Sequence, residues 1–202
     1  GLGMRLFGFP TAPLILALPG SRMGEVGRLG PVFGAALTRV VARHPDARIV
    51  VPTVGAVAQT VAELTRTWPG APILLEPGAT EAKRAAFAAA DVALAASGTV
   101  SLELAAARTP MVIGYDMAWL SRQIIGRLLK VNTVTLVNLV SDTRAVPEFI
   151  GDACRPEALA DALLSTLSHP ETQLDAMRLT MERLGEGGER PGHRAARAVL
   201  DV

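Results

Sequence analysis

Leu14-Ile15-Leu16-Ala17-Leu18-Pro19-Gly20-Ser21-Arg22 is the stretch on which the fold turns. Five apolar residues run without interruption, as in a strand buried on both faces, and Pro19-Gly20 stops the run. Beyond it Val26, Leu29, Val32, Phe33, Ala36, Leu37, Val40 and Val41 recur at three- and four-residue steps. That spacing predicts a helix with one apolar stripe, ending near His44-Pro45. The unit is strand, loop, helix, and it repeats. Arg48 to Val51 predicts a second strand stopped by Pro52, and Val57 to Trp68 a helix stopped by Pro69-Gly70. Strands follow at Ile73 to Leu75, Val92 to Ala95 and Met111 to Gly114, separated by helices over Glu81 to Ala90 and Val100 to Arg108. A further extended stretch is expected at Val134 to Leu136, and from Arg155 onward the pattern is helical only.

Such alternation predicts an α/β fold: a parallel sheet with helices on both faces, joined by right-handed crossovers, plus C-terminal helices. The 202 residues suffice for one domain with a real core. The pattern divides into a sheet domain over 1–154 and a helical segment over 155–202 that packs on it or crosses from it. Gly185 to Gly192 resembles a flexible linker, and with the C-terminal helices it leaves room for helix exchange between two copies, a homodimer. The chain begins abruptly before its first strand, which fits a fragment or an isolated domain.

Charge excludes some classes of function. Twenty Lys and Arg balance 19 Asp and Glu, so no global field favours nucleic acid. The lone Cys154 rules out an internal disulfide framework, and His44, His169 and His193 lack ligand spacing, so no metal is expected. No apolar run reaches the roughly 18 to 20 residues that a membrane-spanning helix needs. No small-residue cleavage pattern marks a signal peptide. These features predict a cytoplasmic protein.

In an open parallel sheet, ligands bind beyond the carboxyl ends of the strands. The distinctive residues fall there: Gly20-Ser21-Arg22 with Glu25, Ser97-Gly98-Thr99 with Glu103, Gly114-Tyr115-Asp116, and Val137-Asn138. Gly98 permits close backbone approach, and Thr99 is placed to cap a helix whose N-terminus faces a phosphate. The same residues also read as a plain turn and cap. Gly20-Ser21-Arg22 offers a second helix start plus a fixed cation, or else a Ser21 cap and a solvated Arg22. Two such loops together would clamp a diphosphate. Glu103 and Glu148 are carboxylates suited to ribose hydroxyls, or simply surface acids, and Asn138 reads as a polar contact or an ordinary turn residue. Trp119 to Lys130 predicts an amphipathic helix with Leu120, Ile124, Ile125, Leu128 and Leu129 on one side and Arg122, Arg127, Lys130 and Trp119 on the other. Core packing and contact with an anionic membrane surface both account for it.

Taken in order, Leu18-Pro19-Gly20-Ser21-Arg22, Ala96-Ser97-Gly98-Thr99 with Leu102-Glu103, Pro110 to Tyr115, Leu136-Val137-Asn138-Leu139 and Val146-Pro147-Glu148-Phe149-Ile150 resemble the C-terminal half of lipid-A-disaccharide synthases. The resemblance runs from about Leu14 to the C-terminal helices. It implies one Rossmann-like half of a two-domain GT-B glycosyltransferase, the half that holds a UDP-sugar. The family transfers diacylglucosamine from its UDP donor to a diacylglucosamine 1-phosphate lipid acceptor with inversion, without a metal or other cofactor, at the inner membrane of Gram-negative bacteria.

Carried onto this chain, Gly20, Ser21, Arg22, Ser97, Gly98 and Thr99 would meet the diphosphate. Glu103 or Glu148 would meet the ribose, Tyr115 would belong to the donor site, and Asn138 would lie near the reacting sugar. The catalytic base is expected on the N-terminal domain, so this chain alone is expected to bind and not catalyse. A related UDP-sugar transferase or epimerase, or a catalytically silent nucleotide-binding module, would share these features. Three positions depart from the family pattern. Val137 replaces a proline, which predicts a less rigid loop around Asn138. Asp116 replaces a basic residue and Gly151 a glutamine, both of which bear on the acceptor.

Overall fold

The computed structural model describes residues 12–115 and 133–187, and the expected helix over 119–130 lies outside them. Six strands form one sheet: β1 (Leu14–Leu18), β2 (Arg48–Pro52), β3 (Ile73–Leu75), β4 (Val92–Ala96), β5 (Met111–Tyr115) and β6 (Glu148–Ile150). Their order is β3-β2-β1-β4-β5-β6, and every pairing is parallel. The order reverses between β1 and β4, since β1 leads outward to β2 on one side while β4 starts the other half. This is the topology of a Rossmann-like fold, and it opens a crevice at the carboxyl ends of those two strands.

Strand alternation sorts the core into two layers. Ile15, Ala17, Ile49, Val51, Leu94 and Val112 face one layer, completed by Phe33 and Leu37 of α1 (Met23–Arg43) and by Leu159 and Leu163 of a later helix over Pro156–Ser168. Leu16, Val50, Ala93, Ala95, Met111 and Ile113 face the other, against Phe87 of α3 (Thr80–Ala89), Leu104 of α4 (Val100–Ala106) and Met177 of a helix over Glu171–Arg183. Every residue of β4 and β5 is buried, which explains why both read as continuous apolar runs. The helix α2 (Ala58–Thr65) is shorter than the span expected from Val57 to Trp68; its last residues form turns.

Two local expectations are corrected. Val134 to Leu136 is not an extended element, because Thr135 is the N-cap of a short helix, α5 (Leu136–Ser141). Its β-branched residues favour extension locally, but burial of Val137 and Asn138 overrides that preference. The helix stops at Asp142, which adopts φ 57° in the left-handed region. The segment Val146 to Ile150 supplies the sixth strand, Glu148–Ile150, which pairs Glu148 with Ile113 and adds to the strands expected from the sequence.

The C-terminal helices α6 (Pro156–Ser168) and α7 (Glu171–Arg183) both pack on the sheet domain of the same chain. Gln173 of α7 accepts a hydrogen bond from the Met111 backbone N–H at 2.8 Å. On the surface, Arg39 Nη2 meets Glu157 Oε1 at 2.5 Å and joins α1 to α6. The Glu157 carboxyl lies below the usual glutamate range, chiefly through its own backbone N–H in the first turn of α6 and then through Arg39. No helix among the described residues is long and apolar enough to cross a membrane.

Candidate functional site

A cavity of about 600 Å³ opens at the reversal point of the sheet. Its walls come from the loops after β1 and β4, with further residues after β2, on α3 and α4, and around α5. Gly20, Ser21, Arg22, Ser97, Gly98, Thr99, Glu103 and Tyr115 all line it. Eight residues picked out in the sequence thus meet in one place, because parallel strands deliver all their following loops to the same edge.

The first loop turns at Gly20, whose φ of 122° is open to glycine and strained for other residues. A β-carbon there would lie 2.7 Å from Glu25 Oε2. Glu25 in turn folds back over the loop, accepting from the Ser21 backbone N–H at 3.2 Å and from Arg22 Nη1 at 3.1 Å. Arg22 occupies the N-cap position of α1 without a side-chain cap, and Ser21 does not cap the helix. Glu25, three residues on, reaches back past the N-cap to the Ser21 N–H, one residue before the group a capping box would bind. It thereby orients the guanidinium, while the Arg22 side chain stays 64% exposed. The first N–H groups of α1, at Met23 and Gly24, have no intrahelical acceptor.

The second loop turns at Gly98, with φ 144°. A β-carbon built there would meet nothing within 4 Å, so the backbone borders open space. Thr99 stands at the N-cap of α4, yet its hydroxyl makes no capping bond, contrary to expectation. Its backbone is helical (φ −63°, ψ −20°), whereas a capping side chain needs an extended residue. The turn is closed by Ser101 Oγ, which donates to the Gly98 carbonyl at 2.9 Å. Ser97 Oγ donates to the Val134 carbonyl at 3.4 Å, tying this loop to the residues before α5.

The structure separates the two carboxylates that sequence reasoning left as equals. Glu103 lines the cavity and accepts from Lys83 Nζ at 2.6 Å through Oε2. Glu148 is not among the lining residues, and both of its oxygens are spent. Oε2 accepts from the Val134 and Thr135 backbone N–H groups at 2.8 and 3.0 Å, and Oε1 from the Thr133 hydroxyl and from Asn138 Nδ2 at 2.9 Å.

Asn138 is fully buried and is likewise absent from the lining. Its Nδ2 also donates to the Val146 carbonyl at 2.9 Å, and its Oδ1 accepts from the Val146 N–H at 2.9 Å. The backbone around Asn138 is not a loose loop, because Val137 sits in the first turn of a helix where a proline would also fit. Asn138 and Glu148 form a closed brace behind the wall made by Thr133 and Val134.

Sequence reasoning missed Lys83, Thr53, Val54, Thr133, Val134 and Leu139 as lining residues. Lys83 carried a weak signal, as one of two adjacent basic residues on a helix otherwise rich in alanine. Among the described residues no group of three or more His, Cys, Asp or Glu could hold a metal ion.

Known proteins share this fold and this sequence. Among solved structures, the calicheamicin glycosyltransferase CalG4 superposes with a TM-score of 0.58 at 17% identity, over 96% of this chain and 42% of that one. The Staphylococcus aureus MnaA structure with UDP gives a TM-score of 0.58 at 14% identity, over 82% and 40%. These likenesses establish the fold: one Rossmann-like half of the GT-B plan. Among curated proteins, the lipid-A-disaccharide synthase of Ruegeria pomeroyi is 60% identical over 200 residues, 96% of this chain and 50% of its own length. That of Rhodospirillum centenum is 45% identical over 196 residues, 96% and 48%. The chain thus spans about half the length of the curated relatives it matches. The lipid-A-disaccharide synthetase family model matches residues 6–200. With a family match over nearly its whole length, this chain belongs to the lipid-A-disaccharide synthase family.

Proposed function

We propose that this chain is the donor-binding portion of a lipid-A-disaccharide synthase, holding UDP-2,3-diacylglucosamine during its inverting transfer to 2,3-diacylglucosamine 1-phosphate. The observation that carries the reading is the cavity at the reversal point, where Gly20-Ser21-Arg22 and Ser97-Gly98-Thr99 converge from β1 and β4. The open space at Gly98 admits a phosphate against the backbone. Arg22, oriented by Glu25, supplies a charge-assisted donor. MnaA, whose fold this chain shares, was solved with UDP, which supports a uridine diphosphate as the guest.

The chemistry follows from charge. As the glycosidic carbon parts from UDP, negative charge builds on the leaving diphosphate. Donors already aimed at that position lower the barrier, because they need no reorganisation when the charge appears. The Arg22 guanidinium and the N–H groups at the start of α1 are placed for that role. The base that takes the acceptor hydroxyl proton is assigned to a second domain, so this chain binds donor and does not turn over. The lipid acceptor implies work at the inner membrane surface, with the protein on the cytoplasmic side.

The test is a calorimetric titration of this chain with UDP in the presence of EDTA. UDP is expected to bind in preference to AMP or GDP. Arg22→Ala should weaken UDP about tenfold, the size of a lost charge-assisted hydrogen bond, while leaving the melting temperature unchanged. Equal binding of all three nucleotides, or UDP binding untouched by Arg22→Ala, would contradict the assignment.

A further inference from the structure

The cavity contains a cation that neither phosphate-facing loop supplies. Lys83 of α3 lines it and donates from Nζ to Glu103 Oε2 at 2.6 Å, bridging α3 to α4. On its other side the ammonium lies 5.1 Å from the centre of the Phe87 ring, one helical turn along α3. Phe87 is itself a core side chain, 4% exposed. Lys83 is therefore held from two directions, by a core aromatic ring and by the carboxylate it meets.

An ion pair between groups 41% and 50% exposed adds little to stability. Its consequence is geometric. Glu25 and Glu103 are the two carboxylates among the described residues that line the cavity. Glu25 has both oxygens engaged, by Ser21 and Arg22. Glu103 has Oε2 engaged by Lys83, and its Oε1 accepts no hydrogen bond from the described residues. Glu103 Oε1 is thus a lining carboxylate oxygen with no donor from the described residues, on a side chain whose other oxygen is pinned. A vicinal diol, which presents two O–H donors, is the chemical group such an oxygen recognises.

We propose that Lys83 is a positioning residue: it pins Glu103 so that Oε1 accepts from the ribose hydroxyls, and it thereby sets the preference of this site for ribonucleotides over nucleotides lacking the diol. This rests on the donor-site reading above. Lys83 itself does not touch the nucleotide; it acts through Glu103.

The experiment measures affinities of this chain, with and without substitution, for UDP and for 2′,3′-dideoxy-UDP, by ligand-observed NMR or calorimetry. The unsubstituted chain is expected to favour UDP by about tenfold or more, since the analogue forfeits hydrogen bonds to a charged acceptor. Lys83→Met should remove most of that margin by weakening UDP alone, and Lys83→Arg should restore it. Glu103→Gln should shrink the margin similarly, and the double variant should lose no more than either single change. Unchanged dideoxy-UDP affinity in Lys83→Met also shows that the variant is folded.

Equal weakening of both ligands by Lys83→Met would overturn the proposal and make Lys83 a direct contact to the diphosphate or base. A margin untouched by Lys83→Met would overturn it as well, because Glu103 would then hold itself. An unsubstituted chain that binds both ligands equally would defeat only this proposal. An unsubstituted chain that binds neither would defeat the donor reading and this proposal with it.

Discussion

Glu148 and Glu103 look alike in the sequence, each an acid at the edge of an apolar segment, and the fold uses them in opposite ways. Glu148 is closed: four donors from Thr133, Val134, Thr135 and Asn138 fill its two oxygens. Glu103 is half open: Lys83 takes one oxygen, and the other accepts nothing from the described residues. A carboxylate whose lone pairs are all spent on its own chain is a structural element. One with a pinned orientation and a remaining lone pair is suited to a ligand. The same contrast separates Asn138, buried and saturated, from Arg22, exposed and oriented.

The largest effect should come from opening the closed side. Glu148→Ala removes the acceptor of the Val134 N–H and the Thr133 hydroxyl and one of two acceptors of the Thr135 N–H and the Asn138 amide, and should cost about 3 kcal/mol of unfolding free energy in urea titration. Asn138→Leu keeps the volume but abandons the Val146 backbone and one oxygen of Glu148, and should cost about 2 kcal/mol by the same measurement. If either change were neutral for stability yet abolished UDP binding, the brace would be a ligand contact and the contrast would fail.

Gly98→Ala should be smaller and different in kind. The added β-carbon meets no atom, so only the unfavourable φ of 144° is penalised, about 1–2 kcal/mol. UDP binding should fall with it, since the methyl group enters the space proposed for phosphate. A full retention of UDP affinity in Gly98→Ala would move the diphosphate elsewhere.

Much of this is legible in the sequence. The runs at Leu14–Leu18 and Val92–Ala96 and the loops after them were readable because a strand buried on both faces leaves a continuous apolar signature, and the turn that ends it needs glycine. Parallel topology then gathers those loops without further information. What stayed hidden depends on contacts distant in sequence. Lys83 meets Glu103 across 20 residues, and Glu148 meets Val134 across 14. The segment Leu136–Ser141 is helical because Val137 joins the core with Leu104 of α4 and Met177 of α7 while Asn138 is buried on Val146 and Glu148, a fact that its β-branched composition conceals. Thr99 occupies the capping position as expected, but its backbone angles deny its hydroxyl the bond.

The most direct test of the central claim is chemical-shift mapping of the ¹⁵N-labelled chain during UDP titration. The account predicts that the largest shifts fall at Ser21, Arg22, Ser97, Gly98, Thr99 and the Glu103 turn, with the Asn138 side-chain amide nearly unmoved. Shifts centred on Asn138 and Glu148, with the loops after β1 and β4 unaffected, would contradict it.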